Sequence, residues 1–276
     1  MCTVLQLSDL HVEPAGVLAY GQEDTAGKLP VVAGHALELA KDVGADVVVV
    51  TGDIACDGNE TAYRQVADAF SIFDAAGIPV RFLPGNHDWR EPMRRILAGY
   101  FGDFWSGDRL DQTVRVGGVR LFLLDTLQPG RHWGAIPETV LERLADELSD
   151  PAPAMVFTHH TPLTCGMGVM DEDFGNREAF LKVLAARPDV RLATGHMHRA
   201  ILQTTGANVV VTAPSAALAI PVGFTASAGD CFRLEPAGWA LHQWREGAWN
   251  TFLGHFAMEA SYAGPFPFAG AVNPED

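Results

Sequence analysis

The sequence predicts an α/β protein in which two packed β-sheets are flanked by helices. In the N-terminal part, short apolar runs rich in β-branched residues alternate with helix-length segments, a pattern typical of βα units. After Gly195 short strand-like runs separated by turns follow instead, which predicts a second and more antiparallel sheet. The 276 residues are 48% hydrophobic and 19% charged, so the chain can bury a sizeable core.

The predicted strands are apolar runs bounded by turn residues. The clearest covers residues 47–50, where four consecutive valines are typical of a strand buried on both faces. Strands are predicted at 3–7, 47–50, 80–83, 119–124, 154–158, 192–194, 201–204, 209–212, 231–234 and 239–244.

Four helices are predicted between these strands, at residues 31–43, 61–75, 137–148 and 177–186. Asn59 and Asn176 precede two of them near the cap position, where an Asn side chain accepts a hydrogen bond from the first helical turn. No internal repeat interrupts the pattern. We therefore predict a single domain over residues 1–258 and a C-terminal tail, 259–276, that serves as a docking arm or a loose end.

The charge balance restricts the partners. Nineteen Lys and Arg residues against 34 Asp and Glu residues give a formal net charge of −15, which argues against a nucleic-acid polymer or an anionic membrane surface. A small anionic substrate remains open if cations are bound locally. The four cysteines lie far apart without a Cys-x-x-Cys pair, and there is neither a signal-like start nor a long uncharged apolar run, so we expect a cytoplasmic protein.

Polar residues follow five of the predicted strands, at the edge where open α/β sheets place their ligand sites. Each set alone has an ordinary explanation, such as a helix cap, a turn or a hydrogen-bonded loop histidine. Oxygen and nitrogen ligands at five strand ends of one chain instead favour a common metal site. The five sets are Asp9-x-His11, Gly52-Asp53, Gly85-Asn86-His87-Asp88, His159-His160 and Gly195-His196-x-His198.

The spacing within these sets suits metal binding. Residues i and i+2 of an extended segment point the same way, so Asp9 and His11 can hold one ion, as can His196 and His198. The side-chain oxygen of Asn86 is a hard, neutral ligand. The adjacent imidazole faces elsewhere and can serve as an acid or a hydrogen-bond donor.

The order of the five sets, from residue 9 to residue 198, resembles the calcineurin-like metallophosphoesterase superfamily. The resemblance implies a four-layer αββα sandwich of two mixed sheets flanked by helices, with a dinuclear metal centre. It implies one metal ion bound by Asp9, His11 and His198, a second bound by Asn86, His159 and His196, and Asp53 as the bridge between them.

The same resemblance suggests roles in catalysis. Asp53 and His87 are the expected catalytic residues, and Asn86, His87 and His160 are expected to contact the substrate, with a position that supports a metal-bound histidine as the alternative for His160. His87 is then the histidine that meets the phosphate without binding metal, with Asp57 or Asp88 as its partner. If the register of the histidine pair differs, His160 is the metal ligand in place of His159.

Two cations suit phosphodiester hydrolysis because they activate a bridging hydroxide and neutralise the phosphate oxygens. The mixed oxygen and nitrogen ligands favour iron, manganese, zinc or cobalt over magnesium, which prefers oxygen. We therefore expect two divalent or trivalent metal ions per chain.

Further motifs lie around the metal-binding sets: Gly52-Asp53-Ile54-Ala55-Cys56-Asp57-Gly58, Leu124-Asp125-Thr126 with Pro129-Gly130 and Gly134, Gly166-Met167-Gly168-Val169-Met170-Asp171 with Asn176, and Thr212-Ala213-Pro214-Ser215. They give the chain a narrower resemblance to the class III cyclic nucleotide phosphodiesterases and related glycerophosphodiesterases. Thr161 and Ala216-Ala217 depart from that pattern, which leaves the ligand set intact but affects the expected nucleotide preference.

The predicted function is thus a metal-dependent phosphodiesterase of small molecules, with 3′,5′-cyclic nucleotides as the first substrate class. The alternatives within the superfamily are a glycerophosphodiesterase and a broad-specificity phosphatase or phosphonate esterase. A non-catalytic scaffold is the alternative from another class, and the complete ligand set argues against it. A homodimer formed through the C-terminal region is also expected.

Overall fold

The structure is a computed structural model that describes residues 1–105, 107–225, 228–258 and 263–267. Its strands are β1 (Cys2–Leu7), β2 (Val47–Thr51), β3 (Val80–Leu83), β4 (Asp103–Phe104), β5 (Gln112–Val116), β6 (Val119–Leu123), β7 (Gly134–Ala135), β8 (Ala154–Phe157), β9 (Phe174–Gly175), β10 (Arg191–Thr194), β11 (Ile201–Thr205), β12 (Asn208–Thr212), β13 (Cys231–Leu234), β14 (Gly238–Arg245), β15 (Ala248–His255) and β16 (Ala263–Pro267). The α-helices are α1 (Thr25–Val43), α2 (Glu60–Ala76), α3 (Arg90–Ile96), α4 (Glu138–Ser149) and α5 (Arg177–Ala185), and 3₁₀ turns cover Ala98–Tyr100 and Gly168–Met170.

Two large mixed sheets form the framework, in agreement with the predicted fold class. The first has the strand order β15-β14-β1-β2-β3 and the second the order β11-β12-β10-β8-β6-β5-β4. In both sheets the central strands are parallel and antiparallel strands complete an edge: β14 and β15 in the first, and β11, β5 and β4 in the second.

The strands after Gly195 are divided among three sheets rather than forming one, so this part of the prediction was wrong; β13 and β16 pair as a small two-stranded sheet. Strands β11 and β12 extend the second sheet, whereas β14 and β15 extend the first. A parallel sheet exposes unpaired backbone groups along its edges, and a hairpin added there satisfies them. The β11–β12 and β14–β15 hairpins each do so on a different sheet.

Helices cover the outer faces and give the molecule four layers. Because successive side chains point to opposite faces of a strand, Leu5 of β1 packs outward with α1 and α2, whereas Val4 packs inward against the second sheet. Phe122 of β6 packs outward with α4 and α5. The core between the sheets consists of Cys2, Val4, Val47, Val49, Leu83, Val114, Val119, Leu121, Leu123, Met155, Phe157, Ala193 and Trp249.

A buried amide connects the two sheets within this apolar layer. Gln6 of β1 donates from Nε2 to Thr51 Oγ1 at 2.8 Å and to the carbonyl oxygen of Thr194, in the second sheet, at 3.0 Å. Its Oε1 accepts a hydrogen bond from His242 Nε2 at 2.9 Å. A buried amide is tolerated when its polar atoms are paired, and these bonds also fix the sheets relative to one another.

The helix beginnings agree only in part with the predictions. Asn59 caps α2 by accepting the N–H of Thr61, whereas the Asn176 side chain does not cap α5 and donates instead to the carbonyl oxygen of Ile136. Helix α1 begins at Thr25 rather than at residue 31, because Asp24 accepts the N–H of Gly27 and the helix continues through its internal proline. Helix α3 was not predicted.

Part of the C-terminal tail is described. Strand β16, residues 263–267, pairs with β13, while 259–262 and 268–276 lie outside the described residues. The boundary at residue 258 and the docking role of the tail therefore stay predictions. In the described part of the chain, no helix has the length and apolar character needed to span a bilayer.

His242 should make stability depend on pH. Burial, together with Arg191, lowers the pKa of its imidazole from 6.5 to about 3, so the folded protein keeps it neutral. In the unfolded chain the imidazole takes up a proton below pH 6.5. The neutral, buried His242 therefore makes its full contribution to the free energy of unfolding above that pH, and this contribution is lost as the pH falls towards 3. In urea unfolding of metal-free protein, the wild type should lose about 2 kcal/mol more than His242→Gln between pH 7.5 and pH 5. Parallel losses in both proteins would contradict this assignment.

Candidate metal centre

The carboxyl ends of parallel strands from both sheets meet at one edge of the sandwich. Backbone hydrogen bonds join the loops that leave them: the N–H of Asp9 donates to the carbonyl oxygen of Gly52 at 3.1 Å, and the N–H of Gly195 donates to that of His159 at 2.9 Å. The five predicted residue sets are thereby brought together, although they are dispersed between residues 9 and 198.

Several of the predicted ligand residues have left-handed backbone conformations. Five of the eight described non-glycine residues with positive φ belong to the predicted ligand set: Asp9, His11, Asp53, His196 and His198. Such conformations are costly for non-glycine residues and concentrate at functional sites. Gly85 allows a close approach of the loops, since a Cβ there would collide with the Asp53 carboxylate.

One group of donor atoms, here called the first pocket, is formed by Asp9, His11, Asp53 and His198. The Nε2 atoms of His11 and His198 are 3.1 Å apart. His11 Nε2 lies 3.5 Å from Asp53 Oδ2, and His198 Nε2 lies 3.6 Å from Asp9 Oδ1. All four residues are buried.

The second pocket is formed by Asn86, His159, His196 and the same Asp53. Asn86 Oδ1 lies 3.0 Å from His159 Nε2 and 3.1 Å from His196 Nδ1. His159 Nε2 is also 3.3 Å from Asp53 Oδ2. The same Asp53 oxygen therefore faces both pockets.

These distances fit cation binding. Ligand atoms held at about 2.1 Å from one ion lie about 3.0–3.4 Å from each other. His159 donates from Nδ1 to the carbonyl oxygen of Thr51 at 2.8 Å, and His198 donates from Nδ1 to that of Leu218 at 3.0 Å. Both rings thus turn Nε2 towards the pockets, as metal-bound histidines do. Asp9 Oδ2 is buried without a hydrogen-bond partner among the described residues.

The buried charged groups of this site shift one another's pKa values. Burial alone would raise the pKa of Asp53, but His159, His87 and His11 bring it well below its usual range. Burial alone would lower the pKa of His159, yet the Asp53 and Asp9 carboxylates raise it to about 9. The site therefore stabilises positive charge next to Asp53.

His160 is held differently from His159. Its Nδ1 accepts a hydrogen bond from Thr126 Oγ1 at 2.7 Å, and its Nε2 donates to the carbonyl oxygen of His132 at 2.7 Å. Although its atoms lie close enough to His159 and His196 to form a cluster, both ring nitrogens are engaged. His159, by contrast, has its Nε2 3.3 Å from Asp53 Oδ2. The hydrogen bonds of His160 match the supporting position that the sequence left open, and a substrate contact by His160 stays a prediction.

The predicted carboxylate partner of His87 was wrong. His87 Nδ1 donates to the carbonyl oxygen of Cys56 at 2.6 Å, not to Asp57 or Asp88. Its backbone N–H donates to Asp53 Oδ1 at 3.0 Å. His87 therefore presents Nε2 at the cavity, next to the ring of His11, whose centroid is 4.9 Å away.

Asp88 instead connects the loops that carry Asp53 and Asn86. Its buried carboxylate accepts the backbone N–H groups of Gly85 at 2.9 Å and of Ala55 at 3.1 Å, together with the hydroxyl of Tyr63 at 2.9 Å. Burial, followed by the nearby Asp53 charge, raises its pKa to about 6. Asp88 is a structural link and not a partner of the neighbouring imidazole.

A cavity of about 300 Å³ opens over the two pockets. Its wall includes Val169 and Met170 from the segment after β8, and Ile220 and Gly229 from the segment between β12 and β14. Sequence reasoning missed these last two, because no local pattern marks a wall built by distant loops. The described lining residues are His11, Tyr20, Asp53, Asn86, His87, His132, Val169, Met170, Glu172, His196, His198, Ile220 and Gly229.

Comparisons with known proteins agree with this geometry. The family profile described as calcineurin-like phosphoesterase matches residues 2–200. A probable glycerophosphodiester phosphodiesterase GpdQ of Arcobacter nitrofigilis is 29% identical over 271 residues, 96% of each chain. The 3′,5′-cyclic adenosine monophosphate phosphodiesterase CpdA of Pseudomonas aeruginosa is 31% identical over 222 residues, 77% of this chain and 75% of the relative.

A solved structure supports the fold alone. GAP50, described as the anchor in the inner membrane complex of Plasmodium, aligns with a TM-score of 0.61 at 14% identity. The alignment covers 96% of this chain and 89% of that one. The sandwich is therefore a fold already observed.

The link through Asp88 predicts a graded loss of stability. In Asp88→Asn an amide N–H₂ replaces one acceptor oxygen, so a buried backbone N–H loses its partner, and we expect a cost of about 1–3 kcal/mol in the free energy of unfolding. Tyr63→Phe leaves the backbone bonds to Asp88 intact and removes the hydroxyl that donates to Asp88 and accepts the N–H of Trp89. Because Trp89 is exposed, water can replace that acceptor, and the expected cost is about 0.5–1.5 kcal/mol. Urea unfolding of the metal-free proteins measures both, and a larger loss in Tyr63→Phe would disprove the order.

Proposed function

The chain belongs to the calcineurin-like phosphoesterase family, and on that premise we propose that it is a dinuclear-metal phosphodiesterase of small phosphodiesters. The family resemblance inferred from the sequence is confirmed by the profile match, and both of the curated relatives above are named phosphodiesterases. Family membership and the two ligand pockets together support a metal-dependent hydrolase.

The observation that carries the proposal is that one carboxylate serves both pockets. Asp53 Oδ2 lies 3.5 Å from His11 Nε2 and 3.3 Å from His159 Nε2. Asp9, His11 and His198 would hold one cation, Asn86, His159 and His196 the other, and Asp53 would bridge them. When bound, two such cations activate water and neutralise the charge of the phosphate.

His87 is the proposed proton-handling and phosphate-contacting residue. The carbonyl oxygen of Cys56 fixes its Nδ1, and the bond from its backbone N–H to Asp53 fixes its place beside the pockets. As the imidazolium, His87 can donate from Nε2 a hydrogen bond to a phosphate oxygen or a proton to the leaving oxygen.

The cavity wall supports diesters over monoesters. None of its described lining residues is a lysine or an arginine, and it includes the Glu172 carboxylate, whose Oε2 lies 3.8 Å from His196 Nε2. Without a lysine or arginine in the described wall, the bound metal ions and His87 would have to neutralise the charge of the substrate. A diester carries one negative charge, whereas a monoester carries up to two, so a diester suits this wall better.

The leaving group would contact the apolar residues Val169, Met170 and Ile220. We propose 3′,5′-cyclic nucleotides as the first substrate class, in line with the cyclic adenosine monophosphate relative. Glycerophosphodiesters are the second candidate, because the relative with that name matches across 96% of both chains. The choice of iron, manganese, zinc or cobalt, the cytoplasmic location and the homodimer stay predictions.

Two neighbouring residues separate metal binding from proton handling. Asn86→Ala removes a proposed ligand, so we expect little hydrolysis and loss of one cation per chain. His87→Ala leaves the ligands in place and should lower kcat by about 10²- to 10⁴-fold with both cations retained. Metal analysis and kinetics on the same samples provide the measurement. Full activity in His87→Ala, or metal loss equal to that in Asn86→Ala, would contradict the roles assigned here.

A hydrolysis panel tests the substrate class. The panel contains 3′,5′-cyclic AMP, glycerophosphoethanolamine, a chromogenic diester and its matching monoester, each with Mn²⁺-loaded and metal-free protein. We expect cleavage of diesters in the loaded protein only, with a higher kcat/KM for the diester than for its matching monoester. Preference for the monoester would refute the diester proposal, and the ranking of the first two compounds decides between the two candidate classes.

A further inference from the structure

A buried serine joins two loops that present ligands of the first pocket. Ser215 lies three residues after β12 and is 6% exposed. Its Oγ donates to the carbonyl oxygen of Asp9 at 2.9 Å and accepts the backbone N–H groups of Ala217 at 3.0 Å and Leu218 at 3.1 Å. A hydroxyl group has one donor and two acceptor sites, so every hydrogen-bonding site of Ser215 Oγ is occupied and the direction of its O–H bond is fixed.

The loop held by Ser215 carries the group that orients His198. The carbonyl oxygen of Leu218 accepts the Nδ1–H of His198 at 3.0 Å. An imidazole that donates from Nδ1 presents its lone pair at Nε2, the atom that lies 3.1 Å from His11 Nε2. The position of Leu218 therefore decides which nitrogen of His198 faces the first pocket.

The backbone of Asp9 also depends on this loop. Asp9 has a φ of +56°, a conformation that costs a non-glycine residue about 1–3 kcal/mol unless its surroundings hold it. Its N–H donates to the carbonyl oxygen of Gly52, and its own carbonyl oxygen accepts the Ser215 hydroxyl. The N–H of Ala216 donates to the carbonyl oxygen of Ser8 at 2.9 Å, which adds a second bond between the same loops.

We propose that Ser215 is a positioning residue for the cation held by Asp9, His11 and His198, an inference that rests on the proposed function. It acts through the backbone of Asp9 and through the carbonyl oxygen of Leu218. Loss of the hydroxyl leaves two buried N–H groups without an acceptor and releases the Asp9 carbonyl. The bonds described for Ser215 reach no ligand that belongs to the second pocket alone, so one cation should be affected and the other spared.

Calorimetric titration of metal-free protein with Mn²⁺ tests the proposal. The wild type should show two binding steps, and Ser215→Ala should weaken one of them by about 10- to 100-fold while the other keeps its affinity. Ser215→Cys retains the side-chain volume with a weak donor and should show the same selective loss. It replaces the alanine variant if that variant does not fold.

Thr212→Val is the matched control. It removes another buried hydroxyl, at the end of β12, whose bond goes to Thr194 Oγ1 at 2.8 Å, on the last residue of β10, and not to the Asp9 or Leu218 loop that Ser215 holds. Both Mn²⁺ steps should be unchanged in this variant. Urea unfolding of each metal-free protein gives the stability against which the affinities are compared.

The outcomes separate the inference from the proposed function. Two unchanged Mn²⁺ steps in a folded Ser215→Ala protein overturn the inference alone, provided that the wild type binds two ions and hydrolyses a diester. Equal weakening of both steps, or the same loss in Thr212→Val, reveals general destabilisation and also overturns it. A wild type that binds no Mn²⁺ refutes the proposed function and the inference together.

Discussion

The Asp53 carboxylate lies in the interior with its Oδ2 facing imidazoles on two sides, His11 at 3.5 Å and His159 at 3.3 Å. Removing a carboxylate from water is costly unless positive charge or hydrogen-bond donors replace the solvent. Here the donors come from different strand ends, and the backbone N–H of His87 adds a bond to Oδ1. Because β2 lies between β1 and β3, the fold can place such partners on both sides of Asp53.

The loops around this charge are strained and tightly bonded. Asp9, His11 and His196 have positive φ, and backbone bonds hold each of them. The N–H of His11 donates to the carbonyl oxygen of Asp53 at 2.9 Å, and the N–H of His196 donates to Asp9 Oδ1 at 3.1 Å. A strained backbone conformation persists only where several surrounding contacts hold it in place. Protein contacts alone thus hold the side chains of the two pockets in these positions.

The site also depends on the alignment of the two sheets. Asp53 comes from the first sheet, whereas His159 and His196 follow strands of the second. A relative shift of the sheets would separate Asp53 from both histidines. The Gln6 amide opposes such a shift, because it bonds to the backbone of Thr194 across the core. The buried polar chain from His242 through Gln6 to Thr51 therefore supports function as well as stability.

The sequence by itself determined ten of the sixteen described strands, the polar sets at strand ends and the family, since apolar runs and motif spacing are local properties, whereas β4, β5, β7, β9, β15 and β16 were not predicted. Five strand ends with metal-binding residue types were sufficient to place Asp53, Asn86 and their partners in one site. Local patterns could not predict where α1 begins or which sheet each later hairpin joins. Helix capping and edge pairing depend on which of several local and distant partners a residue meets in the fold.

Only the tertiary structure decided how individual histidines are used. Thr126, 34 residues from His160, occupies one nitrogen of that ring, and the carbonyl oxygen of Cys56, 31 residues from His87, replaces the expected carboxylate partner. Ser215 lies 206 residues from the Asp9 carbonyl that it holds. Which groups become hydrogen-bond partners in this way depends on their distance and direction in the folded protein. Residue spacing along the chain encodes neither.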